Sequence, residues 1–182
     1  MEPRSPKVKP VSLTRRVMLR VAATTASSMG LAACGFKLRG PLAFAFSSIA
    51  IVPNPGGAVA QELRRLFGPN VRVLSADEPI AQAQLVLDVA NEQREKIVVA
   101  LNSSGQVREF QLRLRVSLRL RTAKGKDLMD GVQIMQQRGF SYNESYALAK
   151  EAESTLLYRD MQTDVVQQIL RRLAAIHPEQ LD

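Results

Sequence analysis

The chain has 182 residues, 46% of them hydrophobic and 23% charged, with a formal net charge of +8 and one cysteine, Cys34. This length can bury one hydrophobic core, so we expect a single folded domain. A single cysteine excludes an internal disulfide, a CxxC redox pair and a zinc site built from cysteines.

The first 34 residues have the organisation of an exported lipoprotein leader. A basic stretch over residues 15–20 precedes a short apolar run that ends in Leu31-Ala32-Ala33-Cys34. A basic segment, a short apolar run and small residues before a cleavage site are typical of a secretory signal peptide. A cysteine at the cut resembles the bacterial lipoprotein box. We predict a signal peptide at residues 1–33 and S-diacylglycerol and N-acyl attachment at Cys34; the alternative is an unmodified cysteine that follows two alanines by chance.

The apolar run of the leader does not predict a membrane span. Residues 21–33 are fewer than the ~20 apolar residues that a spanning helix needs, and threonines, serines and a glycine interrupt them. The paired Arg15 and Arg16 before a weakly hydrophobic run resemble a twin-arginine export signal, with the general secretory route as the alternative. Either route crosses the inner membrane.

Most of the positive charge belongs to this leader. Residues 1–33 contain six basic side chains and one acidic side chain, so +5 of the net +8 lies there and +3 remains for residues 34–182. The overall charge is therefore no evidence for a nucleic-acid partner. We predict no nucleic-acid binding, because sheet-based RNA binders also carry exposed aromatic rings among their basic groups.

The remaining sequence divides into a tether, one domain and a tail. Residues 34–43 form the lipidated tether, residues 44–178 the domain and residues 179–182 the C-terminal tail. The elements predicted within the domain are, in chain order, a strand over 45–52, a helix over 58–67, a short strand over 71–74, longer strands over 84–101, 107–122 and 128–140, and a helix from 141 to about 176. Gly131 is predicted to form a β-bulge in the last strand.

The clearest strand runs from Val107 to Thr122. Its apolar residues recur at every second position, which is the period of a strand and excludes a helix. Its other face carries the polar residues Glu109, Gln111, Arg113, Arg115, Ser117, Arg119 and Arg121. The β-α-β-β-β-β-α order predicts an α+β two-layer sandwich. In it, two helices pack on one face of a mixed, mainly antiparallel sheet of about four strands, and the other face is polar.

The last helix has its own start signal and apolar stripe. Ser141 and Glu144 have the spacing of a capping box. The side chains predicted to face the core are Tyr146, Ala149, Leu156 or Leu157, Met161, Val165, Ile169 and Leu173.

The four arginines of the central strand predict an anion-binding surface. Alternate residues project from one face about 7 Å apart, and guanidinium groups suit phosphates and acidic sugars. The alternative is that these arginines only solvate the outer side of the sheet. A solvated face usually mixes charge signs, whereas this strand offers only Glu109 as a nearby acid. Glu92 and Glu95 are predicted to be solvated partners of Arg94 and Lys96.

No combination of side chains predicts catalysis or a cofactor. His177, the only histidine, is expected to be an exposed residue after the last helix. The sequence has no glycine-rich phosphate loop and no cluster with the spacing of metal ligands. We therefore predict a binding or scaffolding protein with no catalytic residue, no metal and no cofactor.

Several short motifs together resemble the LptE family of LPS-assembly lipoproteins. They are Cys34-Gly35-Phe36-Lys37-Leu38-Arg39-Gly40 at the lipidated end, Arg108-Glu109-Phe110-Gln111-Leu112, Arg138-Gly139-Phe140-Ser141-Tyr142, Ala147 through Met161, and Leu170-Arg171-Arg172-Leu173. They occur in the family's order over nearly all of residues 34–182. The turn at residues 102–105 departs from the family pattern because it lacks a basic residue.

This resemblance implies a location, partners and a fold. Members of the family are outer-membrane lipoproteins that face the periplasm, plug the LptD β-barrel, help that barrel assemble and bind lipopolysaccharide. Gly35 after the cysteine fits delivery to the outer membrane. The family fold, two helices on a four-stranded sheet, agrees with the one predicted from periodicity.

Lipopolysaccharide carries phosphates and acidic sugars, so its contacts are expected to be basic groups. The candidates are Lys150, Arg113, Arg115 and Arg138. For Lys150 the alternative is a surface position beside Tyr146 and Ser154 or an ion pair with Glu151 or Glu153. Two other functions stay open: a lipoprotein adaptor of another envelope machine, and a periplasmic enzyme, which the absence of an acid–base pair disfavours.

Overall fold

The computed structural model describes residues 42–181. The strands and α-helices are β1 (Ser48–Val52), α1 (Ala58–Leu66), β2 (Arg72–Val73), β3 (Leu85–Leu101), β4 (Val107–Thr122), β5 (Asp127–Ser141) and α2 (Ala147–Ala174). The predicted signal peptide and the lipid site at Cys34 lie outside the described residues. No helix within residues 42–181 is both long and apolar enough to span a bilayer.

The five strands form one mixed sheet in the order β2-β1-β3-β4-β5. β1 runs parallel to β2 and β3, whereas β3, β4 and β5 are antiparallel neighbours. This confirms the predicted α+β fold, with five strands instead of about four. The extra strand is the two-residue β2, which pairs with the start of β1. β1 itself begins at Ser48, three residues later than predicted.

The main core lies between the sheet and the two helices. The inward side chains of β4 from Leu112 to Leu120 are buried, as the period-two pattern predicts. The buried residues facing them are Val59, Ala60 and Leu63 of α1 and Met161, Val165, Ile169 and Leu173 of α2. Both helices therefore cover the same face of the sheet.

A second, smaller apolar cluster lies on the opposite face. It consists of Ala50, Leu74, Ala83 and Val86. Because successive side chains of a strand point to opposite faces, Ala50 and Val86 face away from the helices. The uncovered face is thus apolar near β1 and polar along β4.

A β-bulge at Asn91 changes which side chains of β3 face the helices. Ala90 lies opposite Ser117 and Gln93 lies opposite Arg115, so between these pairs two residues of β3 face one residue of β4. Asn91 has a φ of 52°, in the left-handed region. Beyond the bulge Arg94 lies opposite Leu114, whose side chain is inward. The bulge therefore places Arg94, and Lys96 after it, on the helix side.

The predicted bulge at Gly131 is confirmed. Leu118 pairs with Val132 and Leu120 with Met129, so β5 contains one extra residue between these pairs. Gly131 has a φ of 62°, which glycine adopts without steric cost.

The predicted start of the last helix is wrong. Ser141 ends β5, and a single 3₁₀ turn, Glu144–Tyr146, precedes α2. This turn is capped by Asn143, whose side chain accepts a hydrogen bond from the Ser145 N–H at 3.0 Å. α2 ends at Ala174 instead of about 176.

The predicted core stripe of α2 is wrong at its start, at Tyr146 and Ala149. Tyr146 is 65% exposed and Leu156 is 59% exposed, and Ala149 is exposed as well. Of the alternatives Leu156 and Leu157, Leu157 is partly buried and packs against the core, and the stripe is fully buried from Met161 onward, at Val165, Ile169 and Leu173. The reason is that β3 presents a cation beneath the first turns: Lys96 pairs with Glu151 at 2.8 Å. These turns therefore contact the sheet through polar groups.

Candidate functional site

The helices leave the outer side of β3, β4 and β5 open, and we call this surface the outer face. Along β4 it carries Glu109, Gln111, Arg113, Arg115, Ser117, Arg119 and Arg121, which alternate with the buried residues. The predicted division of β4 into one apolar and one polar side is therefore confirmed.

Acidic residues of the neighbouring strands pair with several of these arginines. The Arg119 guanidinium donates two hydrogen bonds to the Asp127 carboxylate, at 3.0 and 2.9 Å, and this lowers the pKa of Asp127. Arg115 lies 3.6 Å from Glu95. The expectation that Glu109 is the only nearby acid is wrong, because the acids belong to the adjacent strands. The outer face mixes charge signs, as a solvated sheet surface does.

Arg113 is the outer-face candidate with the least neutralised charge. Its Nε donates a hydrogen bond to Gln111 at 2.9 Å, and it forms no ion pair within residues 42–181. Gln93, opposite Arg115, and Gln137, opposite Arg113, add neutral amides around the arginines. The centre of the outer face is therefore rich in hydrogen-bond donors.

The other two candidates lie on the opposite side of the sheet. Arg138 of β5 lies opposite the inward Leu112 and pairs with Asp164 of α2 at 2.8 Å. Lys150 donates a hydrogen bond to Glu153 at 2.8 Å, and its side chain is only 21% exposed. The alternative that Lys150 is an ion-pair partner of Glu153 thus describes its contacts in this structure.

The four predicted lipopolysaccharide contacts are therefore split between two surfaces. Arg113 and Arg115 lie on the outer face, whereas Arg138 and Lys150 lie on the helix side beside the β5 edge. The bulge at Asn91 does not cause this split, because all four residues come after β3 in the sequence. Arg138 has the opposite orientation because it pairs with an inward residue of β4.

The prediction that Glu92 and Glu95 are solvated partners of Arg94 and Lys96 holds only for the pairing of Glu92 with Arg94. Lys96 pairs with Glu151 and Glu95 lies beside Arg115. Glu92 lies 3.7 Å from Arg94, but its carboxylate also accepts a hydrogen bond at 3.1 Å from the Val59 N–H in the first turn of α1. The Lys96 ammonium lies 4.8 Å from the centre of the Phe110 ring and 5.7 Å from that of Phe140. Asn91 before Glu92 was the available signal, because asparagine is enriched at positive φ.

The described residues contain no candidate metal centre. Within residues 42–181, no group of three or more histidine, cysteine, aspartate or glutamate side chains is placed to hold a metal ion. His177 is exposed after α2, as predicted. The chemistry available at both surfaces is the binding of anions and of hydrogen-bonding groups.

Two proteins with sequences similar to this chain carry the same name. The chain is 27% identical over 154 residues to the LPS-assembly lipoprotein LptE of Yersinia enterocolitica serotype O:8, which covers 82% of this chain and 72% of that protein. It is 28% identical over 149 residues to the LPS-assembly lipoprotein LptE of Yersinia pestis strain Pestoides F, covering 80% of this chain and 70% of that one.

Solved structures share the fold. The solution structure of an uncharacterized lipoprotein B from Nitrosomonas europaea has a TM-score of 0.63 and 34% identity, covering 78% of this chain and 91% of that one. The crystal structure of the rare lipoprotein B from Shewanella oneidensis has a TM-score of 0.59 and 21% identity, covering 71% and 95%. The sequence profile of the LptE family, described as lipopolysaccharide-assembly, matches residues 46–173. The chain belongs to the LptE lipopolysaccharide-assembly family.

Proposed function

We propose that this chain is an outer-membrane lipoprotein that helps assemble the LptD β-barrel, plugs its lumen and assists the transport and insertion of lipopolysaccharide at the cell surface. The observation that carries the proposal, beside family membership, is the open outer face. The interior of a large membrane β-barrel is polar and water-filled. A surface of amides, arginines and mixed charges can replace its hydrogen bonds to water with hydrogen bonds to polar side chains of the barrel lumen. An apolar surface could not form such bonds.

The plug proposal is tested by filling the outer face. Ser117 lies at its centre opposite Gln133, so Ser117→Trp adds a bulky ring there. Asp160→Trp places the same ring on the exposed side of α2 and serves as the matched control. We expect Ser117→Trp to lose co-purification of a large β-barrel from native membranes, while Asp160→Trp retains it and both proteins melt like the parent. Equal recovery of the barrel with both variants would contradict the role of the outer face.

We propose that the chain is held at the membrane through lipids on Cys34, after removal of residues 1–33. Residues 34–43 would then tether the folded domain. Several acyl chains give stable anchoring, because each buried methylene contributes ~0.8 kcal/mol. Mass spectrometry of the protein from its native membrane tests this: an unmodified thiol or a retained leader would remove the anchor from the proposal.

We propose that lipopolysaccharide contacts come from Arg113 and Arg115 on the outer face and from Arg138 and Lys150 on the helix side. Separate double variants, Arg113→Gln with Arg115→Gln and Arg138→Gln with Lys150→Gln, distinguish the two surfaces. Binding of lipopolysaccharide to the purified full chain is measured, with Lys124→Gln in the β4–β5 turn as the control. Loss of a charge-assisted contact weakens binding by about tenfold. A pair whose removal leaves binding unchanged is not a contact.

The role proposed is non-enzymatic, and we assign no catalytic residue. The alternative is a lipoprotein adaptor of another envelope transport or assembly machine. Affinity isolation of the lipidated chain separates the two, because the proposal requires a large β-barrel among the partners. Recovery of a different envelope complex without such a barrel would favour the adaptor.

A further inference from the structure

The two edges of the sheet differ in length and in charge. At one edge β2 has only two residues, Arg72 and Val73, and Arg72 forms an ion pair with Glu78. At the other edge β5 has 15 residues, and no strand within residues 42–181 pairs with its free side. Native proteins shorten or charge their edge strands, because unpaired backbone groups can pair with another chain. The β2 edge is protected in this way, whereas the β5 edge is long.

The register of β4 with β5 shows which backbone groups of β5 point to the free side. The Tyr142 N–H donates a hydrogen bond to the Arg108 carbonyl oxygen at 2.8 Å, so the backbone groups of Tyr142 point toward β4. The pairing continues without a shift back to Val132. Because backbone groups alternate in direction along an antiparallel strand, every second residue points away from β4. These residues are Gln133, Met135, Gln137, Gly139 and Ser141.

Most of these residues lie in a regular and uncharged part of the strand. The four between 133 and 139 are exposed, and their backbone groups form no hydrogen bond within residues 42–181. Residues 132–137 include no charged residue and no proline. Ser141 ends the strand, and its hydroxyl accepts a hydrogen bond from Lys150 at 3.3 Å. The open stretch is therefore residues 133–139, and it lacks the features that prevent two edges from pairing.

We propose that this stretch of β5 pairs with the same stretch of a second copy of the chain, antiparallel and around a two-fold axis at Gln136. Gln136 is the midpoint of residues 133–139, so the axis places Gln133 opposite the partner's Gly139 and Met135 opposite the partner's Gln137. Opposed residues that point toward each other exchange two backbone hydrogen bonds. All the free backbone groups of the stretch are then used, and no like charges lie directly opposite each other on this edge.

The side of α2 beside β5 carries charges that suit such a two-fold arrangement. Asp164 contacts Arg138 of β5, and Asp160 and Arg171 lie on the same side of the helix, one turn before and two turns after it. Asp160 and Arg171 are exposed and form no ion pair within the described residues 42–181. A two-fold axis through β5 reverses the second α2, so the acidic part of one helix lies toward the basic part of the other. Contacts between identical copies require this self-complementarity.

Cross-linking at the axis tests the proposal. Gln136→Cys places two thiols opposite each other in a pair without hydrogen bonds, where Cα atoms are about 4.5 Å apart and a disulfide can form. Gln133→Cys is the matched control, because it lies opposite the partner's Gly139. The purified full chain is oxidised with copper phenanthroline in a large excess of detergent micelles, and dimers are measured on a non-reducing gel. We expect dimers with Gln136→Cys, and with Gln133→Cys only the background that Cys34 gives in the parent.

Two charge variants in the Gln136→Cys background test the pairing itself. Met135→Lys with Gln137→Lys places lysine opposite lysine, and cross-linking should slow by roughly fivefold or more. Met135→Lys with Gln137→Glu places opposite charges there, and cross-linking should stay as fast as in Gln136→Cys alone. Thermal melting checks that both variants remain folded.

Three results would overturn the proposal. They are the absence of a Gln136→Cys dimer, equal cross-linking of Gln133→Cys, and equal rates for the two charge variants. Slow amide exchange at Gln133 and Met135 in a chain that does not cross-link would assign the edge to a segment of the same chain instead. None of these results bears on the plug proposal, because the latter is judged by the barrel that co-purifies with the chain.

Discussion

Two neighbouring arginines of α1 have opposite surroundings. Arg64 donates hydrogen bonds to the carbonyl oxygens of Ile51 at 2.7 Å and of Pro53 at 3.0 Å, and a third to that of Pro55. Arg65, the next residue, is exposed, and its side chain forms no ion pair within residues 42–181. One arginine therefore fixes the segment after β1, and the other faces solvent.

We expect Arg64→Ala to lower the free energy of unfolding by about 2 kcal/mol, because three carbonyls lose a charged donor. Arg65→Ala is the matched control, with the same change one position later, and should leave the stability within about 0.5 kcal/mol of the parent. Urea unfolding of both variants checks this. Equal destabilisation would mean that the backbone contacts of Arg64 contribute nothing of their own.

A second prediction concerns the ion pair beneath the start of α2. The hydrogen bond from Lys96 lowers the pKa of Glu151. A lowered pKa in the folded state means that this pair stabilises the fold above the ordinary pKa of glutamate and ceases to do so as the pH falls through the folded-state pKa. Lys96→Met should therefore raise the pKa of Glu151 toward its usual value.

Carbon-detected NMR titration of the carboxyl groups measures this change. Glu78 is an internal control, because hydrogen bonds from Ser75 chiefly lower its pKa and do not involve Lys96. Its titration should be the same in both proteins. An unchanged pKa for Glu151 in Lys96→Met would show that Lys96 is not its partner in solution.

Among the elements, β3 depends on one residue with an unusual backbone conformation. The positive φ of Asn91 strains residues with a branched Cβ and suits glycine. We expect Asn91→Val to destabilise the protein by about 1–2 kcal/mol and Asn91→Gly to be nearly neutral. Thermal unfolding of the two variants checks the bulge. Equal stability would mean that no left-handed residue is needed there.

The helix α2 has a buried half and an exposed half. Leu148 is 91% exposed, whereas Met161 is fully buried. Met161→Ala should cost about 2–5 kcal/mol, since it leaves a cavity in the core. Leu148→Ser should change the stability by less than about 0.5 kcal/mol. Chemical unfolding measures both, and a large cost for Leu148→Ser would contradict the exposed position of this side chain in the first turn of α2.

These elements indicate what sequence patterns can predict. β4 was predicted to the residue, because its period-two pattern is unbroken from Val107 to Thr122. The faces of β3 beyond Asn91 could not be read, because a bulge reverses them while leaving the composition unchanged. The first turns of α2 were misread because helical periodicity locates an apolar stripe but not the polar partner, Lys96, that lies beneath it.

For the molecule as a whole, the family was predictable and the arrangement of its charged surfaces was not. Motif order identified the LptE family, and the sequence profile that matches residues 46–173 confirms it. The pairing of Arg138 with Asp164 has no sequence signature, because the two residues meet only when α2 packs on β5. The pairing of Arg119 with Asp127 likewise depends on which strands are neighbours.

The two ends of β3 differ in the number of strands that pair with them and in burial. β3 has 17 residues and so extends about 55 Å. β1 pairs only with Leu85–Asp88, so the rest of β3 has β4 as its single neighbour in the sheet. Leu85 and Leu87 are fully buried, whereas Val99 and Leu101 are about half exposed.

We therefore expect a gradient of amide protection along β3. Amides of residues 85–89 should exchange only through global unfolding, and those of residues 97–101 through local opening at lower free energy. Hydrogen–deuterium exchange read by mass spectrometry on peptides from the two ends measures this. Equal protection at both ends would contradict the gradient.

The turn at residues 102–105 lies beyond the last pair of β4 with β5, Glu109 and Ser141, and beyond the buried residues of the core. We therefore expect a pulling force applied at this turn to separate the ends of β3 and β4 before it disturbs the buried residues near β1. Mechanical resistance would then rise along the hairpin from the turn toward β1, within a single domain.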